Sequence, residues 1–209
     1  MEEQVIVLRL MTGSPEQSTA AAEREAECRV IDACRDGDMA AFQRLFEAYK
    51  DRVYSIALHY SGDDATAKDI SQQVFMKLFN RIGQFRRDAE FATWLYRIVV
   101  NTCMDEHRRR RRFVPVSHTV EAREMSARES QENSYIRREI DSAVRAAIAE
   151  LKPKLRMPIL LKYVEGLSYD EIAEALSCSK GTVASRLNRG HKALAQRLAH
   201  LRSALVAEE

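Results

Sequence analysis

Turn formers are scarce in this chain: 4 prolines and 7 glycines in 209 residues. A β-sandwich or a loop-rich scaffold reverses direction often and needs more of both, so long helices are expected. Cysteine is equally sparse. Cys28, Cys34, Cys103 and Cys178 contain no CxxC pair, and their spacing suits neither a disulfide framework nor a compact zinc pair. No apolar run approaches the roughly 18 residues of a membrane span. The opening Met1–Leu10 carries Glu2 and Glu3, unlike the basic start of a signal peptide. The expected compartment is a reducing cytoplasm. HExxH, Walker A and GxSxG motifs are absent as well. The expectation is a non-enzyme with no catalytic residue, no cofactor and no metal.

What the chain does have is patterned charge. The totals nearly cancel, 33 Lys and Arg against 31 Asp and Glu, for a net +2. Their distribution does not cancel. His107 is followed by five arginines, Arg108 to Arg112. Ser177 to Arg202 holds six basic residues and no acid, whereas Glu121 to Asp141 holds six acids against four bases. Two basic zones flank a mildly acidic stretch, and polyanion binding is the physical use for such zones. An arginine run can also be a solvated helix end.

Apolar periodicity orders the rest. Residues 1 to about 25 keep no period and read as a tail. From about Cys28 a helical pattern runs through Val30, Ile31, Cys34, Phe42, Leu45, Phe46, Tyr49, Val53 and Ile56 to Tyr60. Ser61-Gly62-Asp63-Asp64 breaks it. A second helix is expected from Ala65 to Ile82, with Ile70, Val74, Leu78 and Ile82 inward and Phe75 and Phe79 widening the stripe. Its polar face holds Asp69, Gln72, Gln73, Met76 and Asn80, too poor in bases for DNA but suited to a protein partner or to solvent. A third helix from about Glu90 buries Phe91, Trp94, Leu95, Ile98 and Thr102 and ends in the arginine run, where cations favour the helix dipole. Phe113 to Tyr135 is polar and linker-like. Periodicity returns at Ile140, Val144, Ala147, Ile148 and Leu151, and Pro158 can kink the helix after that.

The C-terminal part carries the sharpest local signature. Ser168-Tyr169-Asp170-Glu171 is a capping box that opens a short helix. Ser177-Cys178-Ser179 is a tight turn, and Ser179 can cap a longer basic helix. Val183, Leu187 and Leu194 share its inner face, while Lys180, Thr182, Ser185, Arg186 and Arg189 face elsewhere. That is the helix-turn-helix pattern, whose second helix enters the major groove and meets phosphates and base edges. In the N-terminal part, Arg86, Arg87, Arg97, Arg108 and Arg109 lie around Phe85, Phe91, Trp94 and Tyr96. Aromatics among bases suit single-stranded DNA, although Trp94 reads first as core; Asn101 and Thr102 could bond a base edge.

Taken in order, these segments resemble the alternative sigma factors of bacterial RNA polymerase, of the small extracytoplasmic-function type. Leu45–Val53 (LFEAYKDRV) resembles the first helix motif of region two. Ala67–Phe75 (AKDISQQVF) resembles its polymerase-binding motif. Phe91–Ile98 (FATWLYRI), with Asn101 and Asp105, resembles the promoter-melting helix. Tyr163–Ala173, Gly181-Thr182-Val183 and Ser185-Arg186-Leu187 resemble region four. About 150 of the 209 residues are covered. The resemblance implies an all-α protein: two small helical domains joined by a flexible linker, the C-terminal one containing a helix-turn-helix. The implied boundaries are 1–26 for an extension, 27–112 for region two, 113–137 for the linker and 138–204 for region four.

The resemblance also implies the partners. Asp69, Gln72, Gln73 and Phe75 would hold the β′ clamp helices of core polymerase, with the β flap as a further contact. Arg86, Arg87, Arg97, Asn101, Arg108 and Arg109 would act on the −10 element, with bases flipped out. Lys180, Thr182, Ser185, Arg186 and Arg189 would read the −35 element. An anti-sigma factor is an implied partner and would hold the chain in the cytoplasm near the membrane, without membrane insertion. Gln73 stands where the family commonly has glutamate, and Ala184 where it often has lysine. Two other classes remain open to test. A stand-alone helix-turn-helix regulator would bind duplex DNA without polymerase. A metal nuclease would use His59, Asp63, Asp64 and Asp69.

Overall fold

A computed structural model describes residues 20–113 and 133–199. Eight α-helices run through them: α1 (Ala20–Arg35), α2 (Met39–Ser61), α3 (Asp64–Arg81), α4 (Phe91–Phe113), α5 (Asn133–Ala149), α6 (Pro153–Tyr163), α7 (Tyr169–Ala175) and α8 (Lys180–Arg197). A single 3-10 turn, Ile82–Gln84, follows α3. The described residues contain no strand, and no helix among them is long and apolar enough to cross a membrane. The Phe113–Tyr135 stretch read as a linker lies mostly outside the described residues, as does the tail before Ala20.

The helical pattern from Cys28 to Tyr60 belongs to two helices. Gly37 has φ +89°, and Gly37 and Asp38 donate to Cys34 and Ala33 carbonyls at 3.1 and 3.0 Å, which closes α1. Asp38 then caps α2, accepting from Ala40 and Ala41 amides at 2.8 and 3.2 Å. The apolar period runs unbroken across this corner because both helices feed one core. Helix α1 also starts at Ala20, earlier than the periodicity indicates. Asp63 caps α3 through the Thr66 amide at 2.8 Å, and hydrogen bonds from the Thr66 hydroxyl and then from that amide hold its carboxyl below the usual carboxylate range.

In the N-terminal unit α2, α3 and α4 bury Leu45, Val53, Ile56, Ile70, Val74, Leu78, Leu95 and Val99. Phe79, expected inside, is 49% exposed. Helix α4 is buried on a second face too, where Tyr96, Val100 and Cys103 are covered. That face meets the C-terminal unit: α4 packs on α7, and α2 packs on α5 and α6. One-stripe periodicity could not show this second contact. In the C-terminal unit, α8 lies against α6 at Gly190, where a Cβ would stand 3.0 Å from Ile159 Cγ1. Pro153 opens α6, and Pro158, buried in its second turn, is accommodated within the helix.

Candidate nucleic-acid interface

The helix-turn-helix is built by its caps. Ser168 accepts from the Glu171 amide at 3.2 Å, and Glu171 accepts from the Ser168 amide at 2.7 Å, closing the capping box. Ser177 turns the chain at φ +49°, and the Cys178 amide donates to Ala173 at 2.9 Å. Ser179 accepts from the Thr182 amide at 3.2 Å and starts α8. Val183, Leu187 and Leu194 are buried beneath it. Lys180, Ser185 and Arg189 are exposed, with Thr182 and Arg186 half-buried between them. The face sought in the sequence is therefore formed. Its members are only lightly engaged: Lys180 sits 2.7 Å from Asp170, the Thr182 hydroxyl 2.9 Å from that of Ser179, and Arg189 folds onto Ser185. Arg186 lies 3.8 Å from the Cys178 sulfur. The Lys180–Asp170 pair is exposed on both sides, so exchanging it for a phosphate costs about 1 kcal/mol or less.

On α4 the residues divide. Arg97, Asn101 and Arg108 are exposed along one side. Asn101 and Arg108 open into a cleft of about 250 Å³ whose other cations, Lys77 and Arg81, come from α3. Lys77 donates to the Thr102 hydroxyl at 3.1 Å and lies 3.8 Å from Asp105. Sequence reasoning missed Lys77 and did not join Arg81, at the start of the candidate contact loop Arg81–Glu90, to Asn101, because only the α3–α4 packing brings both beside it. Thr102 is fully buried and donates to the Ile98 carbonyl at 2.8 Å, so it presents no hydroxyl to a base. Arg86 is exposed on the preceding loop, while Arg87 is tied to Asp32 of α1. Arg109 and Arg110 both pair with Glu106, which is 6% exposed, at 2.9 and 3.2 Å. Arg108, Arg109 and Arg110 thus split between the cleft and a carboxylate clamp. Phe85, Phe91 and Trp94 stack on one another at 5.3–5.9 Å, with Phe85 and Phe91 buried. They brace the loop rather than offer open stacking faces.

A third surface lies between α2 and α3. A groove of about 820 Å³ is lined by Met39, Phe42, Phe46, Phe75, Met76 and Phe79, with Gln72 and Asn80 at its edge. Phe46 and Phe75 meet at 4.6 Å, Phe42 and Phe79 at 5.1 Å. Met39 is 62% and Met76 59% exposed. Large apolar side chains left in contact with water mark a protein-interaction site. Gln72 and Phe75 reach this groove; Asp69, exposed, and Gln73, half-buried, do not line it. The acidic cluster considered for a nuclease dissolves into structure. Asp63 caps α3, Asp64 pairs with Lys68 at 2.8 Å, and His59 bonds the Ser55 carbonyl at 2.8 Å. Among the described residues no group of His, Cys, Asp and Glu could hold a metal ion.

Comparison with known proteins gives the same two-part division. A family model described as Sigma-70 region 2 matches residues 45–113, and one described as Sigma-70, region 4, matches residues 141–194. The RNA polymerase sigma-H factor of Pseudomonas aeruginosa is 34% identical over 179 residues, which is 82% of this chain and 93% of that one. The ECF RNA polymerase sigma-E factor of Escherichia coli is 36% identical over 180 residues, 79% of this chain and 90% of that one. Two solved structures share the fold with a TM-score of 0.62. One is CnrH in complex with the cytosolic domain of CnrY, 20% identical, covering 84% of this chain and 98% of that one. The other is the sigma factor RpoE with the anti-sigma factor NepR from Bartonella quintana, 21% identical, covering 76% and 96%.

Proposed function

Because the chain belongs to the sigma-70 family of RNA polymerase sigma factors, in its extracytoplasmic-function group, we propose a separate task for each of its surfaces. It is a non-catalytic alternative sigma factor that directs RNA polymerase to promoters. Residues 27–112 form region two. Its α2–α3 groove, the exposed Asp69 and Gln72 and the half-buried Gln73 take the β′ clamp helices of core polymerase. Arg86, Arg97, Asn101 and Arg108, joined by Lys77 and Arg81, bind the −10 element and hold it open. Arg87 and Arg109 join that contact by leaving Asp32 and Glu106. Residues 138–204 form region four. Lys180 and the open amides of α8 anchor on phosphate, while Ser185, Arg186 and Arg189 reach base edges in the −35 major groove. An anti-sigma factor binds the chain in the resting cell, as the structurally similar RpoE is found in complex with the anti-sigma factor NepR.

The observation that carries this reading is the pairing of a polar, cationic cleft around Asn101 with an apolar groove on the opposite side of α3. One unit thus presents separate protein and nucleic-acid faces. The test is transcription by purified core polymerase, with and without the chain, on a fragmented genomic library from its own organism. New start sites that share paired −35 and −10 elements are expected. Sequence-specific duplex binding with no new start and no polymerase association would transfer the chain to the stand-alone regulators.

A further inference from the structure

The loop that leads into α4 is fastened at its ends and strained in its middle. It joins the 3-10 turn Ile82–Gln84 to Phe91, and the buried Phe85 and Phe91 rings meet at 5.3 Å across its two ends. Between them Arg86, Arg87 and Asp88 stand exposed. Arg87 sits at φ +62°, in the left-handed region, where a side chain crowds its own backbone and glycine does not. Such a conformation persists where surrounding contacts hold it. The contact that holds it here comes from outside the loop. The Arg87 guanidinium donates to the carboxylate of Asp32 on α1, the helix that packs on the 3-10 turn. Helix α1 itself lies before residues 45–113, which match the region-two model.

The geometry of this pair suits exchange. The Arg87 side chain is 44% and that of Asp32 49% exposed, so an incoming anion reaches the guanidinium without unpacking the core. Ion pairs this open contribute little to stability. Arg35, one turn further along α1, lies 3.8 Å from Asp32 Oδ1, the same oxygen that Arg87 holds. When Arg87 leaves, Asp32 therefore keeps a cation beside it, and the Arg87 backbone is free to relax. A phosphate offers Arg87 a charge-assisted, two-pronged hydrogen bond in return. The Phe85–Phe91 contact keeps the loop ends in place, so only the centre of the loop has to move.

Resting on the function proposed above, we propose that Asp32 is a positioning residue for the −10 contact: it holds Arg87 in reserve, and a backbone phosphate of the opened promoter strand takes Arg87 over while Arg35 neutralises Asp32. Helix α1 thereby sets how tightly region two grips single-stranded DNA, through a carboxylate that never touches the strand. The exchange answers to phosphate charge and not to base sequence, so it acts on any single strand. Apparent affinity is reduced to the extent that Asp32 still holds Arg87.

The test is fluorescence anisotropy of a labelled oligothymidylate strand titrated with the full free chain, with circular dichroism as the control for folding. Low ionic strength is used, where exposed charges are least screened. Asp32→Asn keeps the shape of the side chain, releases Arg87, and is expected to tighten binding severalfold. Asp36→Asn, exposed just past the end of α1, removes the same charge and leaves the Arg87–Asp32 pair in place. It is expected to tighten binding clearly less. Arg87→Gly suits the left-handed backbone of its position and is expected to weaken binding severalfold. Adding Asp32→Asn to it should then gain no more than Asp36→Asn does. A purely structural ion pair predicts the opposite sign, because its loss would loosen the loop. The proposal is therefore overturned by an Asp32→Asn chain that binds more weakly than wild type or no better than Asp36→Asn, and equally by a wild-type chain that does not bind the strand. None of these results touches the promoter assay above, which reads start sites made with polymerase.

Discussion

Gly190 shows how little room a single position can hold. A Cβ there would lie 3.0 and 3.1 Å from Ile159, which is fully buried and cannot swing away. Overpacking of this kind costs about 1–3 kcal/mol, against about 1 kcal/mol gained from better helix propensity. Gly190→Ala should therefore lower the melting temperature. Gly181→Ala, whose nearest neighbour is Ser179 Oγ at 4.0 Å, should leave it level or raise it. Equal melting of the two variants would mean that α8 does not sit this tightly on α6. His191 acts through charge. It shares a 2.7 Å hydrogen bond with Tyr163, its Nδ1 is buried without a partner, and burial lowers its pKa. The unfolded chain then binds the proton more readily, so His191's contribution is full above its ordinary value near 6.5 and is lost as pH falls through and below it. Denaturant titrations at pH 7.5 and pH 5.5 should show this loss, and His191→Gln should flatten the slope between them.

At the scale of the element, α3 is a helix with two working sides. Its buried row of Ile70, Val74 and Leu78 was legible from spacing alone, because the same 3.6-residue period that marks it in the sequence drives it into the core. Its neighbouring row was not. Phe79 and Met76 read as a wider core stripe or as part of a polar face, yet they stand open beside Phe46 and Met39 of α2. Hydrophobicity tells that a side chain seeks cover; it does not tell whether the cover comes from this chain or another. Phe79→Glu should leave the fold intact, since the ring is already half in water. It should weaken core-polymerase binding about tenfold or more, because burying such a ring contributes about 1.5–3 kcal/mol. Equilibrium binding to purified core polymerase checks this, and unchanged affinity would remove the groove from the docking face.

The whole molecule is defined by the contact between its two units. The guanidinium of Arg156 is desolvated enough to lower its pKa, and it bridges three carbonyls drawn from both units. Calorimetry should accordingly give one cooperative transition for the wild type and two for Arg156→Ala, whose units are uncoupled. Two transitions in the wild type would show that the interface contributes no coupling. By itself the amino-acid sequence determined the all-helical class, the helix-turn-helix with its caps at Ser168 and Ser179, the split of basic charge, and the family. Each of these is written in neighbouring residues, through period, capping chemistry and turn residues whose effects act within a few positions. Tertiary structure alone decided that Lys77 and Arg81 join Asn101, that Arg87 and Arg109 are held by carboxylates, that α2 and α3 leave an apolar groove, and that α4 is covered on its second face. These depend on side chains far apart in sequence meeting across helix packing, and local periodicity records that a face is buried without recording what buries it.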